Sequence, residues 1–201
     1  HPQRHGGCNL AFSPDGAQLA TVTDLHGPGP ELGALLKIWD VKTWQETLSI
    51  DLPDRGRGLD FSPDGARLVT TGFGGYVVVW DPVTGQRLFS LTSGESDEIT
   101  DAAFSPDGSR LLTSSPVGAR LWDLDARVEL FTFAGHKRKV TAVAFNPDGT
   151  RIATGSLDGV IRIYTTDIDE LIGIAESRLT RWFTQEECQR FLHTDTCPPR
   201  P

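Results

Sequence analysis

Methionine is absent from all 201 residues, so His1 is not a natural start, and the chain is expected to be a piece, or the C-terminal part, of a longer polypeptide. Lysine is scarce as well, four residues against fifteen arginines, a bias that suggests a GC-rich bacterial genome. The three cysteines, Cys8, Cys188 and Cys197, are too few for a fold stapled by disulfides, and a cytoplasmic location is the expectation. Positive charge is not in excess: 19 Lys and Arg face 27 Asp and Glu, a formal charge of −8. No basic field is there to draw in a phosphate backbone, which argues against a nucleic-acid partner. Long apolar runs are missing too. The longest block, Tyr76-Val77-Val78-Val79-Trp80, is far short of the ~18 residues a bilayer-spanning helix needs and fits a buried strand, so no membrane association is expected.

What the chain does contain is a repeat. Phe12-Ser13-Pro14-Asp15-Gly16 recurs as Phe61 to Gly65, as Phe104 to Gly108 and, with Asn146 for serine, as Phe145 to Gly149. A second signal follows each copy: Trp39-Asp40, Trp80-Asp81, Trp122-Asp123 and the altered Tyr164-Thr165, at steps of 41, 42 and 42 residues. In the pentapeptide, proline fixes φ for the first central turn position, aspartate suits the next, and glycine takes the left-handed conformation that closes a bulged hairpin. Four copies of one small sheet are therefore expected, each of them too small to bury its own face.

A period of about 40 residues ending in Trp-Asp resembles the WD-repeat family, whose units are the four-stranded blades of a β-propeller. The resemblance runs from about residue 7 to residue 165 and implies an all-β fold. Residues 1–165 then divide into blades at about 1–50, 51–92, 93–134 and 135–165, followed by a tail at 166–201. Third strands are expected at Ala34 to Asp40, Tyr76 to Asp81, Ala119 to Asp123 and Val160 to Thr165; outer strands at Glu46 to Ile50, Gln86 to Leu91 and Val128 to Phe133. The first blade carries an insertion, Asp24 to Glu31, rich in Gly and Pro, which reads as a tolerated surface loop. The fourth blade has no outer strand, because after Tyr164 the apolar period changes from two to 3.6. Four blades forming an open arc, a partial propeller, are the expectation, with any sealing strand supplied by sequence upstream of His1.

In the tail, Ile168, Leu171, Ile172, Ala175, Leu179 and Trp182 fall at helical spacing. Thr184-Gln185-Glu186-Glu187 has the form of a capping box for a second helix, with Cys188, Phe191 and Leu192 on its buried side. Glu186-Glu187-Cys188, Phe191-Leu192-His193 and Cys197-Pro198 resemble a tail found after the last blade of large bacterial WD-repeat proteins. That resemblance implies upstream domains in the same polypeptide. Cys188, His193 and Cys197 do not make a closed zinc site, which wants four ligands. A Cys188–Cys197 disulfide and two reduced thiols both stay open. No metal and no cofactor are expected.

The resemblance also implies a bracing network of Gly-His, Ser or Thr, Asp and Trp. Blade four matches it best, with His136, Thr154 or Ser156, Asp158 and Tyr164. Blades two and three depart from it, with Gly75 and Pro116 at the aspartate position. Asp15, Asp64, Asp107 and Asp148 of the turns and Trp39, Trp80 and Trp122 of the third strands are read as structural. A His–Ser–Asp set of this kind could be mistaken for a hydrolase triad, but bracing is the simpler reading. The candidate partner-binding residues lie in the loops leading into the first strands: Arg55 and Arg57, then Glu95, Asp97 and Glu98, then His136, Lys137, Arg138 and Lys139. Their sign alternates from basic to acidic to basic, which suits a protein or peptide partner. The leading functional reading is a non-catalytic interaction platform, the C-terminal part of a larger bacterial regulatory protein. Two others stand beside it: an enzyme of the hydrolase or lyase type, which would need His and carboxylates converging on the channel, and a structural spacer or oligomerisation module.

Overall fold

A computed structural model describes residues 8–24, 33–52, 55–92, 98–116 and 118–167. Glu95 and Asp97, the bulk of the first-blade insertion, and the predicted tail helices with Cys188, His193 and Cys197 lie outside the described residues. The described residues up to Thr166 belong to one compact unit. Its regular structure is β throughout, apart from one 3₁₀ turn at Phe73–Gly75.

The first sheet runs in the order β1 (Cys8–Phe12), β2 (Gln18–Asp24), β3 (Ala34–Asp40), β4 (Glu46–Leu52). The second is β5 (Gly56–Phe61), β6 (Leu68–Gly72), β7 (Tyr76–Trp80), β8 (Arg87–Thr92). The third is β9 (Ala102–Phe104), β10 (Arg110–Ser115), β11 (Gly118–Asp123), β12 (Val128–Ala134). The fourth has three strands, β13 (Val140–Phe145), β14 (Arg151–Ser156) and β15 (Ile161–Thr165). Every pairing is antiparallel between chain neighbours. One expected loop residue moves: Asp24 is buried and pairs with Ala34, so β2 extends to it and the insertion starts one residue later.

The repeated pentapeptide folds the same way each time because its bonds are local. Ser13 Oγ donates to Asp15 Oδ1 at 2.6 Å and accepts from Gln18 N at 2.8 Å, while Asp15 Oδ1 also accepts from Ala17 N at 2.9 Å. Ser62 with Asp64 and Ser105 with Asp107 repeat this pattern, and each turn glycine, from Gly16 at φ +68° to Gly149 at φ +74°, is left-handed. In blade four, Asn146 Oδ1 replaces the serine oxygen and accepts from Arg151 N at 2.8 Å, and Asp148 accepts from Thr150 N at 2.8 Å. These bonds hold the carboxylates in their charged form: Asp107 is lowered to about 2, chiefly by the Ser105 hydroxyl.

The aspartate of each Trp-Asp pair organises the next turn. Asp40 accepts from the N–H of Thr43 and Lys42, Asp81 from Val83 and Thr84, Asp123 from Asp125 and Ala126. Four residues after each aspartate the backbone is left-handed. Gly85 takes that place without strain, whereas Trp44 (φ 54°) and Arg127 (φ 57°) take it as side-chain-bearing residues. Trp80 and Trp122 point into the gaps between sheets, and Trp39 lies on the outer face of sheet one. Nε1–H of Trp39, Trp80 and Trp122 donates to Thr21, Thr70 and Thr113 at 3.1, 2.8 and 2.9 Å.

The core is three gaps between successive sheets rather than one centre. In the first gap Ala20, Val22, Leu36 and Ile38 of sheet one meet Leu59, Phe61, Leu68 and Trp80 of sheet two. The second gap packs Val69, Val77 and Val79 against Phe104, Leu111 and Trp122. The third packs Leu112, Ala119 and Leu121 against Val143 and Ile152, with Tyr164 at its edge. In the first two gaps the following sheet contributes Phe, Leu and Trp, whereas in the third it contributes Val143 and Ile152 with Tyr164. Polar bonds fix the register between the inner strands. Asp60 Oδ2 accepts from Phe104 N and Asp101 Oδ2 accepts from Val143 N, both at 2.8 Å, and Arg67 donates to Gly108 O at 2.7 Å.

Candidate functional site

The loops that lead into the inner strands and those that join second to third strands share one face, because antiparallel neighbours bring them to the same end. Backbone bonds tie them: Ile99 N to Gly72 O and Leu157 N to Lys139 O, each at 3.0 Å. Thr71 Oγ1 accepts from Gly58 N at 2.8 Å and donates to Ile99 O at 3.0 Å, so the loop after blade two is pinned to blade two's own inner strand.

On this face the charged candidates do not act one by one. Glu98 lies between two cations, accepting from Arg57 Nε at 2.9 Å through one oxygen and from Lys139 Nζ through the other. Residues far apart in sequence, one in each of three consecutive blades, meet in this pair of ion pairs. Arg55 and Arg57 also stack over the ring of Phe73, 5.9 and 5.2 Å from its centroid. Phe73 had no signal in the sequence beyond being an aromatic in a glycine-rich turn. Arg138 donates to Leu157 O at 3.1 Å, and Lys137 is exposed, with its backbone N–H on Asp158 Oδ2 at 2.8 Å. Among the described residues, the cations on this face outnumber the carboxylates in a chain that is acidic as a whole.

His136 is used up internally. Its side chain is fully buried, Nδ1 lies 3.0 Å from Asp158 Oδ2 and Nε2 2.8 Å from Thr154 Oγ1. The Lys137 N–H, then the His136 ring, hold the Asp158 carboxyl well below the usual range. Ser156 is not in that chain; its hydroxyl donates to Arg138 O at 2.9 Å and accepts from Asp158 N at 3.1 Å. Tyr164 also stands apart, donating to Ala134 O at 3.2 Å, because the phenol reaches past the threonine that an indole N–H would meet. Blades one to three therefore hold a Trp–Thr bond, and blade four a Thr–His–Asp chain. With both ring nitrogens engaged and no accessible surface, His136 has nothing to offer a substrate as general base.

Two half-buried carboxylates stand at the inner strands, Asp60 in β5 and Asp101 just before β9. Asp60 is pushed up to about 6, first by burial and in smaller part by the neighbouring Asp101 carboxylate; burial raises Asp101 too. Each spends an oxygen on the next blade's backbone, so their geometry is that of inter-blade struts.

Among the described residues, a cleft of about 460 Å³ opens where blade two faces blade one. Its walls are Leu52, Val78, Trp80, Tyr76 and Phe73, and its cations Arg55 and Arg87. The repeat explains why it is open. The position of Val78 holds Lys37 in blade one, Arg120 in blade three and Arg162 in blade four, by strand register. Lys37 pairs with Glu46 at 2.6 Å and Arg120 with Glu129 at 3.2 Å across the outer strand. In blade two the long cation is replaced by valine and the glutamate by Arg87, which removes the side chain that would fill the gap and leaves an unmatched cation at its rim.

Known proteins share this pattern. The family described as WD domain, G-beta repeat matches residues 57–81, 85–123 and 127–165, together more than half of the chain. WD repeat-containing protein 1 of Gallus gallus is 36% identical over 76 residues, 36% of this chain and 12% of that protein. WD repeat and SOCS box-containing protein 1 of Danio rerio is 36% identical over 96 residues, 45% of the chain and 22% of the relative. Small ribosomal subunit protein RACK1 of Medicago sativa is 33% identical over 66 residues, 33% of the chain and 20% of the relative. The matched stretch thus spans between an eighth and a quarter of the length of these relatives. With matched repeats over more than half its length and the Trp-Asp turns and inter-sheet tryptophans in place, this chain belongs to the WD40 repeat family.

Proposed function

We propose that the chain is a non-catalytic interaction module that binds an acidic peptide segment of a partner protein in the cleft between blades one and two. WD-repeat proteins typically mediate protein–protein interactions, and the cleft is the observation that carries the particular reading. Its apolar walls suit a hydrophobic side chain, and Arg55 and Arg87 at its rim suit a carboxylate beside it. Arg57, Lys137 and Arg138 extend the positive potential along the same face and speed encounter with an acidic segment. The internal engagement of His136 supports the non-catalytic reading. Glu186-Glu187-Cys188 and the rest of the tail motif support placing the blades, as an open arc with a helical tail, in a larger bacterial regulatory polypeptide; the full-length reading frame decides that.

The test is fluorescence anisotropy of the 201-residue chain against peptides that carry Asp or Glu beside a Leu or Phe, with basic peptides as the comparison. Two variants accompany it. Val78→Arg restores the cation that the other three blades carry and so fills the cleft, with Arg87 rather than a glutamate beside it. Arg87→Glu reverses the rim charge. Each is expected to weaken acidic-peptide binding at least about tenfold, roughly 1.4 kcal/mol, with the far-ultraviolet circular dichroism spectrum unchanged. Equal binding of acidic and basic peptides, or acidic-peptide binding untouched by both variants, refutes the reading.

A further inference from the structure

At the opposite end of the sheets from Arg55, Arg57 and Lys139, the Pro-Asp-Gly turns of successive blades stand side by side. Between blades two and three an arginine of the chain itself bridges them. Arg67 donates to Gly108 O at 2.7 Å, and its guanidinium carbon lies 5.7 Å from the centre of the Phe104 ring. Between blades three and four the matching residues are Arg110, Gly149 and Phe145, and among the described residues Arg110 makes neither contact. One side chain accounts for the difference. Thr166 stands where blade three has Leu124, since their N–H groups reach the matching carbonyls of Thr150 and Ser109 at 2.9 and 3.0 Å. The Thr166 hydroxyl donates to Gly149 O at 2.6 Å, whereas leucine leaves Gly108 O to Arg67. Arg110 therefore stays exposed at the rim of a cavity of about 380 Å³, walled by Phe145, Pro106 and Gly149 and flanked by the Asp107 and Asp148 carboxylates.

We infer that this cavity receives an arginine side chain from a basic segment of a partner protein, its guanidinium lying over Phe145 and paired with Asp148. The neighbouring gap supplies the precedent, because there the same combination of turn aspartates, glycine and phenylalanine already holds the guanidinium of Arg67. Charge selects the occupant. Two carboxylates outweigh the one cation, Arg110, at the mouth. The Ser105 hydroxyl on Asp107 and the Thr150 hydroxyl on Asp148 hold both carboxyls below the usual range, so both are ionised at neutral pH. A planar guanidinium can stack on the ring and pair with a carboxylate at once, while a lysine ammonium is the weaker match on both counts. The site lies apart from the blade-two cleft and stands independently of the acidic-peptide reading.

Fluorescence anisotropy of the 201-residue chain reads this with a labelled peptide of alternating Gly and Arg, beside its Gly–Lys counterpart of equal charge. The arginine peptide is expected to bind at least about threefold more tightly than the lysine peptide. Thr166→Leu copies blade three: it frees Gly149 O for Arg110, which then fills the cavity from within as Arg67 does one gap earlier. Asp148→Asn removes the charge and keeps an oxygen for the Thr150 N–H. Each is expected to weaken arginine-peptide binding at least about tenfold with an unchanged circular dichroism spectrum, while Arg87→Ala in the cleft leaves it as it was. Should Thr166→Leu lose the native spectrum, Asp148→Asn decides alone. No binding of the arginine peptide, or equal binding of the arginine and lysine peptides, overturns the proposal. So does arginine-peptide binding that survives Asp148→Asn or a folded Thr166→Leu.

Discussion

Trp122→Ala is expected to lose about 3 to 5 kcal/mol of folding stability in urea denaturation. Trp122 is 3% exposed in the gap between blades two and three, against Val69, Val77, Val79, Leu111 and Leu124. Its removal leaves a cavity that two paired sheets cannot close without breaking ladder bonds, and it strands the buried Thr113 hydroxyl, whose indole donor is gone. For a domain of ordinary stability, about 5 to 15 kcal/mol, that is a large share. Trp39→Ala removes the same residue from blade one, where no sheet among the described residues lies behind it; a loss under about 1.5 kcal/mol is expected for the 201-residue chain. If alanine at 122 prevents folding, Trp122→Phe keeps most of the volume and loses mainly the bond to Thr113, for about 1 to 2 kcal/mol. Similar losses for Trp39→Ala and Trp122→Ala would mean that the gaps are not the core.

Asp60→Asn is expected to make the chain more stable at pH 7, by an amount of order 2 kcal/mol, and to leave it nearly unchanged near pH 4. The sign follows from burial. Folding raises the Asp60 carboxyl from 3.8 to about 6, so the folded state holds the proton more tightly than the unfolded chain does. The stabilisation carried by protonated Asp60 is fully present below about 3.8 and is lost as pH rises through about 6. Asparagine keeps an oxygen for the Phe104 N–H and carries no charge to desolvate. The turn carboxylates act in the opposite sense. Asp15, Asp64 and Asp107 are lowered by their serine hydroxyls, so their contribution is present above the unfolded value and lost as pH falls. Chemical denaturation of both proteins between pH 4 and 8 separates the two effects: the curves should meet at the acid end and diverge toward neutrality. A less stable Asp60→Asn chain at pH 7 would show that the charged strut outweighs its desolvation cost.

The parts of this fold legible in the sequence are those whose bonds close within a few residues. Ser13-Pro14-Asp15-Gly16 and Asp40 each satisfy their turns locally, so spacing alone located four hairpins and three Trp-Asp corners. Asp24 was placed one residue out because an acidic residue beside a Gly/Pro stretch looks like loop, while burial and pairing with Ala34 keep it in the strand. The struts from Asp60 and Asp101 were not legible, since their partners sit 44 and 42 residues away and meet them only when sheets stack. The loop charges show the same limit: read along the chain they alternate in sign, but stacking sets Glu98 between Arg57 and Lys139 and brings Arg55 and Arg57 over Phe73. The cleft arises from what blade two lacks. A valine in a strand is unremarked until register shows that its three counterparts are long cations.

Everything here depends on the tryptophan-bearing side of each blade being buried by the blade before it. Hydrogen exchange at the indole N–H groups, measured by NMR on the 201-residue chain, reads that burial residue by residue. The N–H groups of Trp80 and Trp122, buried between sheets, should exchange at least about a hundredfold more slowly than that of the half-exposed Trp39, which makes the same kind of threonine bond with no sheet among the described residues behind it. Equal protection of all three, or fast exchange at Trp80 or Trp122, would contradict the stacked arrangement.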